Sequence, residues 1–314
     1  MTTLPDLSTG VGPAALQSAP RKTPDGGGIR SRSLTWMALP ALIMFTIFGI
    51  IPLLGVLLLS FTSWNGIGAI TFTGFDSWRG VLGDSALPQA LWITFKIMIF
   101  TGVIQTPASI LIGVFMAGHQ RYREFLATLF FIPLLLSSAA IAVAYKALLD
   151  PNFGLGPGLH LDFLTQDWLG DSTLAFWVVM FIVSWQFIPF HSLIYQGAVR
   201  QIPESMYEAA MLDGAGRVRQ FWSITLPQLR YVMVTSSTLM IVGSLTFFDL
   251  IFVLTAGGPA DATRNLALDM YIRGFQGNQM GLASAIATIL VVIGLALALF
   301  LRRIGGSGSQ LEGA

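Results

Sequence analysis

Six long apolar runs, separated by short polar segments, dominate the chain: Leu34–Phe61, Pro88–Ala117, Glu124–Ala147, Leu174–Gly197, Leu229–Leu254 and Gly281–Leu301. An α-helix rises 1.5 Å per residue, so about 20 apolar residues cross the hydrocarbon layer of a bilayer. Each run reaches that length. The pattern lacks the alternating segments of about ten residues that mark a membrane β-barrel. It predicts an all-α integral membrane protein, a bundle of six transmembrane helices over residues 34–303. Residues 1–33 are rich in Gly, Pro, Ser and Thr and lack periodicity, which predicts a disordered polar tail. A cleavable signal peptide would place its apolar stretch nearer Met1 and end it sooner. Residues 304–314 read as a short C-terminal tail.

Composition strengthens the picture. Hydrophobic residues make up 54% of the 314 and charged residues 11%, against about 25% charged in soluble domains. With no cysteine, disulfides and thiolate metal sites are excluded. The net charge of +1 says little; its distribution says more. Arg21, Lys22, Arg30 and Arg32 precede the first run, and Arg121 and Arg123 lie between the second and third. Arg200, Arg217 and Arg219 sit between the fourth and fifth, with Arg230 just beyond, and Arg302 and Arg303 follow the sixth. The alternate loops hold only Arg79, Arg264 and Arg273, while 148–173 carries Asp150, Asp162, Asp167 and Asp171 without Lys or Arg. By the positive-inside rule both termini and the segment 201–227 are expected in the cytoplasm. Pro40, Pro52, Pro107, Pro133 and Pro189 each remove a helix donor that lipid cannot replace, so kinks are expected; one at Pro189 opening a central cavity is a functional reading beside plain bundle packing.

Segment 201–227 breaks the apolar pattern. Pro203 suits a first helical position, and Glu204 and Glu208 complement the positive end of the helix dipole. Ser205–Leu212 has good helix propensity, and Gly214 fits the left-handed position that ends a helix. A second short helix is expected over Arg217–Ser223, with Pro227 marking entry into the fifth span. Small Ala209 and Ala210 allow close approach of another surface, and Glu208 and Asp213 offer charge to a basic partner.

These residues carry a resemblance. Glu208-Ala209-Ala210, Gly214 and Ile224-Thr225-Leu226-Pro227 resemble, at the expected spacings, the EAA loop in permease subunits of binding-protein-dependent ABC importers. The resemblance implies a type I importer permease fold, with this loop as the coupling helix seated in a cleft of an ATPase subunit. Tyr207, Glu208, Ala209, Ala210, Asp213, Gly214, Leu226 and Pro227 are then the coupling residues. A second motif, Phe248-Asp249-Leu250 followed by Leu254-Thr255-Ala256-Gly257-Gly258-Pro259, is similar to carbohydrate permeases of the maltose and glycerol-phosphate type. Partners implied are a second, non-identical permease, an ATP-binding cassette ATPase dimer and an extracellular solute-binding protein, in a bacterial or archaeal cell (inner) membrane. The maltose-type member has extra N-terminal helices and a large external domain that this sequence lacks, so the sugar stays open.

The chemistry missing from the sequence fits that assignment. None of Lys22, Lys96 and Lys146 follows a glycine, so a Walker phosphate loop is lacking and ATP and Mg are expected on a partner chain. The chain itself is expected to be no enzyme and to hold no cofactor. Gly154-Leu155-Gly156-Pro157-Gly158 follows no strand and reads as an external turn. His119, His160 and His191 have no metal-ligand spacing, and His191-Ser192 with Asp249 lacks a nucleophile elbow. Nucleic acid is not indicated. Lys96 and Lys146 are expected to snorkel or pair within the bundle. Sugars present apolar ring faces and hydroxyl edges, which suit aromatic plates with a few hydrogen-bonding groups. The resembled family forms its sugar site from the fourth and fifth spans. By position this points to Gln186, Phe187 and Phe190 in the fourth and Ser244, Phe247 and Asp249 in the fifth; the alternative for each is ordinary packing. A polyol or glycerol phosphate is the nearest rival solute, although Lys and Arg are nearly absent from these spans. A secondary transporter working alone would explain the spans but leave 201–227 without purpose.

Overall fold

The computed structural model describes residues 32–118 and 120–305. The tail readings for 1–31 and 306–314, and His119, lie outside the described residues. The chain divides into two compact units after Pro52. In the first, α1 (Arg32–Phe45) runs into a wide π-turn, Thr46–Ile50, and the start of α2 (Ile51–Leu59).

The second unit continues from α2 into a small antiparallel hairpin, β1 (Thr62–Ser63) with β2 (Thr71–Phe72), in register Thr62 to Phe72. Then come α3 (Asp76–Leu82), α4 (Ala86–Phe100), a π-turn over Thr101–Gln105 and α5 (Thr106–Met116). After these lie α6 (Arg121–Leu135), α7 (Ser138–Leu148), α8 (Leu155–Leu159) and α9 (Ser172–Val199). The expected turn of Gly154–Gly158 is thus mostly one helical turn, α8. α9 packs chiefly against α5 and α6, with Met180 and Ile182 fully buried and Trp177 and Phe181 exposed on its other face. Asp171 starts it, its Oδ1 accepting from the Thr173 and Leu174 N–H groups, both at 2.9 Å.

Four helical stretches, Ala38–Leu59, Ala86–Met116, Ser172–Val199 and Met280–Arg303, are long and apolar enough to cross a membrane, and two bent pairs complete six when each is counted as one span. The kink expected at Pro133 is a sharp bend, and a second bend, at Leu229, lies where no kink was expected. In the third span, α6 and α7 meet at 96°. Pro133 withdraws a donor from the last turn of α6, Leu136 is extended, and Ser137 restarts the chain as an N-cap, its Oγ accepting from Ala140 N–H at 3.2 Å. In the fifth, α10 (Glu204–Leu212) is followed by a helix over Arg217–Gln228, made of α11 (Arg217–Gln220), a π-turn at Phe221–Thr225 and α12 (Leu226–Gln228). It turns by 69° into α13 (Arg230–Thr246) at Leu229, which is buried against Ile110 and Tyr195. The expected run to Leu254 also ends early. Phe247 leaves the helix, its carbonyl taken by Asn265 Nδ2 at 2.5 Å, and α14 (Asp249–Thr255) packs separately on α7.

Prolines explain three of the π-turns. Pro52, Pro107 and Pro227 each stand two residues beyond one, and the residue four before each proline is its central residue: Phe48, Val103 and Ser223. A proline cannot donate to that carbonyl and its ring presses on it, so the helix widens there. Ile51 N–H and Leu226 N–H accordingly donate five residues back, to Thr46 and Phe221. Pro189 leaves no such mark: α9 runs through it as one helix.

At the end expected outside the cell, Asn265 Oδ1 caps α15 (Leu266–Tyr271) by accepting from Leu268 N–H at 3.0 Å. A further π-turn, Ile272–Gln276, precedes α16 (Met280–Gly305). Buried Asp269 lies between Arg264 Nη2 at 2.7 Å and Arg273 Nε at 2.9 Å, and Arg273 also reaches Asp84 at 2.6 Å. The Ala86 N–H and then the Arg273 guanidinium hold the Asp84 carboxyl below its ordinary pKa.

Candidate functional site

Two features are of interest: an exposed helix at one end of the bundle and a cavity within it. The helix is α10. Its end is a Schellman motif: Ala215 N–H donates to Ala210 O at 2.8 Å and Gly214 N–H to Met211 O at 3.0 Å. Gly214 has φ of 76° there, which a side chain would strain by about 1–2 kcal/mol. Tyr207 Oη and Thr225 Oγ1 lie 2.9 Å apart, tying α10 to the following helix. Leu226 packs into the Ile110–Tyr195–Leu229 cluster, while Pro227 is exposed. Glu208, Ala209 and Asp213 are exposed and Ala210 half-buried, and Glu208 and Asp213 form no ion pair among the described residues. Around them Met211, Leu212, Val218 and Trp222 leave apolar surface uncovered, Leu212 being 90% exposed. An ordered helix end carrying uncovered apolar and acidic side chains is suited to a partner.

The cavity, of about 340 Å³, lies among the second to fifth spans. That falls within the range of about 300–1,000 Å³ for small-molecule sites. Phe187, Phe190, Ser244 and Phe247, all expected site residues, line it together. Phe187 and Phe247 stand edge to face, centroids 5.8 Å apart. Gln186 and Asp249 are placed elsewhere. Gln186 is buried, its Nε2 reaching Leu136 O at 3.3 Å and Ser138 Oγ at 3.2 Å, so it braces the bend of the third span. Asp249 is exposed in the first turn of α14, where a carboxylate complements the helix dipole.

The sequence reading missed three polar lining residues: Thr101 and Gln105 from the second span, and His191. Thr101 and Gln105 stand four apart in an apolar run just before Pro107, a signal of one polar helix face. Gln105 Nε2 donates to Ser184 Oγ at 3.1 Å, and His191 Nδ1 lies 2.9 Å from Ser236 Oγ. Ser244 Oγ donates to Ile241 O at 2.6 Å and Thr101 Oγ1 to Met98 O at 2.9 Å. Their protons are committed, so these hydroxyls face a solute as acceptors. None of the lining residues is Asp, Glu, Lys or Arg. Lys96 is paired within the bundle, its Nζ 4.6 Å from the centroid of the Phe176 ring.

Comparison with known proteins agrees with this architecture. The family described as "Binding-protein-dependent transport system inner membrane component" matches residues 109–305. The chain is 30% identical over 288 residues to the probable ABC transporter permease protein YurN of Bacillus subtilis, covering 90% of this chain and 99% of that one. It is 30% identical over 263 residues to the multiple sugar-binding transport system permease protein MsmF of Streptococcus mutans, covering 82% and 90%. Its fold matches a chain in the crystal structure of a bacterial alginate ABC transporter in complex with an alginate pentasaccharide-bound periplasmic protein, with TM-score 0.76, 23% identity and coverage of 89% and 97%. With its six spans, its bent third and fifth helices and its exposed α10, the chain belongs to the inner-membrane components of binding-protein-dependent transport systems, and is a permease subunit of an ABC transporter rather than its ATPase.

Proposed function

We propose that the chain is one of two non-identical permeases of an importer for a neutral sugar or oligosaccharide. In this reading the cavity is its part of the passage, and α10 is seated in one subunit of an ATPase dimer that holds ATP and Mg. An extracellular solute-binding protein delivers the sugar, and both termini and α10 face the cytoplasm, as the Lys and Arg distribution favours. The observation that carries the reading is the lining: aromatic plates, hydroxyl acceptors and no charge. Aromatic faces cover the apolar faces of a sugar ring while acceptors take its hydroxyl protons. A glycerol phosphate would need cationic partners that the lining does not offer. The name of MsmF, for a multiple sugar-binding system, supports a sugar as the solute. The alginate transporter carries an acidic polysaccharide, so the neutral class rests on the uncharged lining alone.

Ser244→Ala tests it. The helix keeps Ile241 O bonded through its own backbone, so the bundle stays folded. A sugar hydroxyl deprived of its acceptor loses about 1–3 kcal/mol, which raises the half-saturation for uptake by about fivefold or more. Wild-type half-saturation and sugar preference in Ser244→Ala would remove this cavity from the passage. Gln186→Leu, by contrast, should lower abundance and thermal stability through the bend it braces and leave sugar preference unchanged.

A further inference from the structure

The last carbonyls of a helix have no partner within it. At the end of α5 nearest α10, three consecutive ones are taken by side chains from elsewhere. Phe115 O accepts from Arg123 Nη1 at 2.6 Å, Met116 O from Gln196 Nε2 at 3.0 Å, and Ala117 O from Arg200 Nε at 3.5 Å. Gln196 and Arg200 stand four apart on one face of α9 and its C-cap, and Gln196 is buried, 8% exposed. Just above, α5 and α9 touch backbone to backbone: a Cβ on Gly113 would lie 2.7 Å from Ser192 O and 3.1 Å from Gln196 N.

The link onward to α10 has little slack. Gln201 N–H donates to Ala198 O and Ile202 N–H to Val199 O, both at 3.1 Å, and Met206 N–H to Pro203 O at 3.1 Å, so the chain from α9 into α10 is internally bonded. In the other direction, α5 continues through the π-turn into Gln105 and Thr101, which line the cavity. Displacement of α10 therefore reaches the cavity's second-span wall through the end of α9 and the caps it places on α5.

We propose that Gln196 is a positioning residue for transport, seconded by Arg200: by holding the Met116 and Ala117 carbonyls they make α5 follow α10. The inference rests on the coupling role of α10 proposed above. Its test is the number of solute molecules imported per ATP hydrolysed by the complete transporter in vesicles, with Gln196→Met, which matches length without a donor, and Arg200→Met, an exposed site whose loss leaves the fold intact. The expected result is normal ATP hydrolysis with the ratio lowered about threefold or more in Gln196→Met and by less in Arg200→Met. A wild-type ratio in both variants overturns the proposal. So does a loss of uptake and hydrolysis in Gln196→Met that only follows its abundance; should that variant not accumulate, Arg200→Met decides by the same ratio. Glu208→Lys separates the two readings: if it blocks transport while both methionine variants keep the wild-type ratio, only the present inference fails.

Discussion

Reversing the charge of Glu208 to Lys should abolish energised uptake while leaving the chain in the membrane at its normal abundance. Glu208 is exposed on α10, has no ion-pair partner among the described residues and sits beside uncovered Met211 and Leu212. The bundle loses no contact when it changes. A charge reversed against a complementary partner is strongly unfavourable, so uptake should fall by at least about tenfold, through lost assembly with the ATPase or through hydrolysis that no longer moves solute. Uptake, co-purification of the ATPase and abundance, measured together, check this. Wild-type uptake would show that α10 is not the seat of the partner.

Asp269→Asn should be the most destabilising single change at the opposite end. It removes a buried negative charge from between Arg264 and Arg273, whose side chains are 22% and 13% exposed. Arg264 keeps Asp261 at 3.3 Å and Arg273 keeps Asp84 at 2.6 Å. The cost is therefore that of weakened charge-assisted hydrogen bonds, about 1.5–3 kcal/mol, below the about 3–5 kcal/mol of a buried charge left with no partner. The thermal midpoint of the purified transporter should drop clearly. Arg79→Ala, which breaks the exposed Arg79–Asp76 pair, should leave it unchanged. Acid weakens the same cluster. Because the folded pKa of Asp84 is lowered, its contribution is fully present above the ordinary carboxylate value and is lost as pH falls through the lowered one.

The parts of this structure legible in the sequence are those fixed by short-range physics. The second, fourth and sixth spans follow from length and apolarity alone. α10 was legible because Pro203, Glu204 and Gly214 punctuate it within a dozen residues, and Gly214 takes the left-handed turn its spacing implies. A kink near Pro133 was legible, but the 96° size of that bend and the break at Leu229 were not, because hydropathy does not change where a chain turns inside protein. The fifth span stops at Thr246 through a bond from Asn265, and the third turns on a bond from Gln186, 50 residues beyond Leu136. For the same reason Gln186 read as a candidate solute ligand while Gln105 drew no reading at all. A polar side chain in an apolar run announces a partner, but whether that partner is solute or backbone depends on a helix far away in sequence. The motif Phe248-Asp249-Leu250 was visible, yet Asp249 begins a separate helix instead of facing the cavity.

The most direct test of the central claim is uptake of a labelled neutral oligosaccharide into vesicles holding this chain, its partner permease and the ATPase dimer, with the solute-binding protein outside and ATP inside. The account predicts concentrative uptake that requires every component, stops without ATP, and is competed by neutral sugars but not by phosphorylated or acidic ones. Concentrative uptake by this chain alone, driven by an ion gradient and indifferent to ATP, would contradict it.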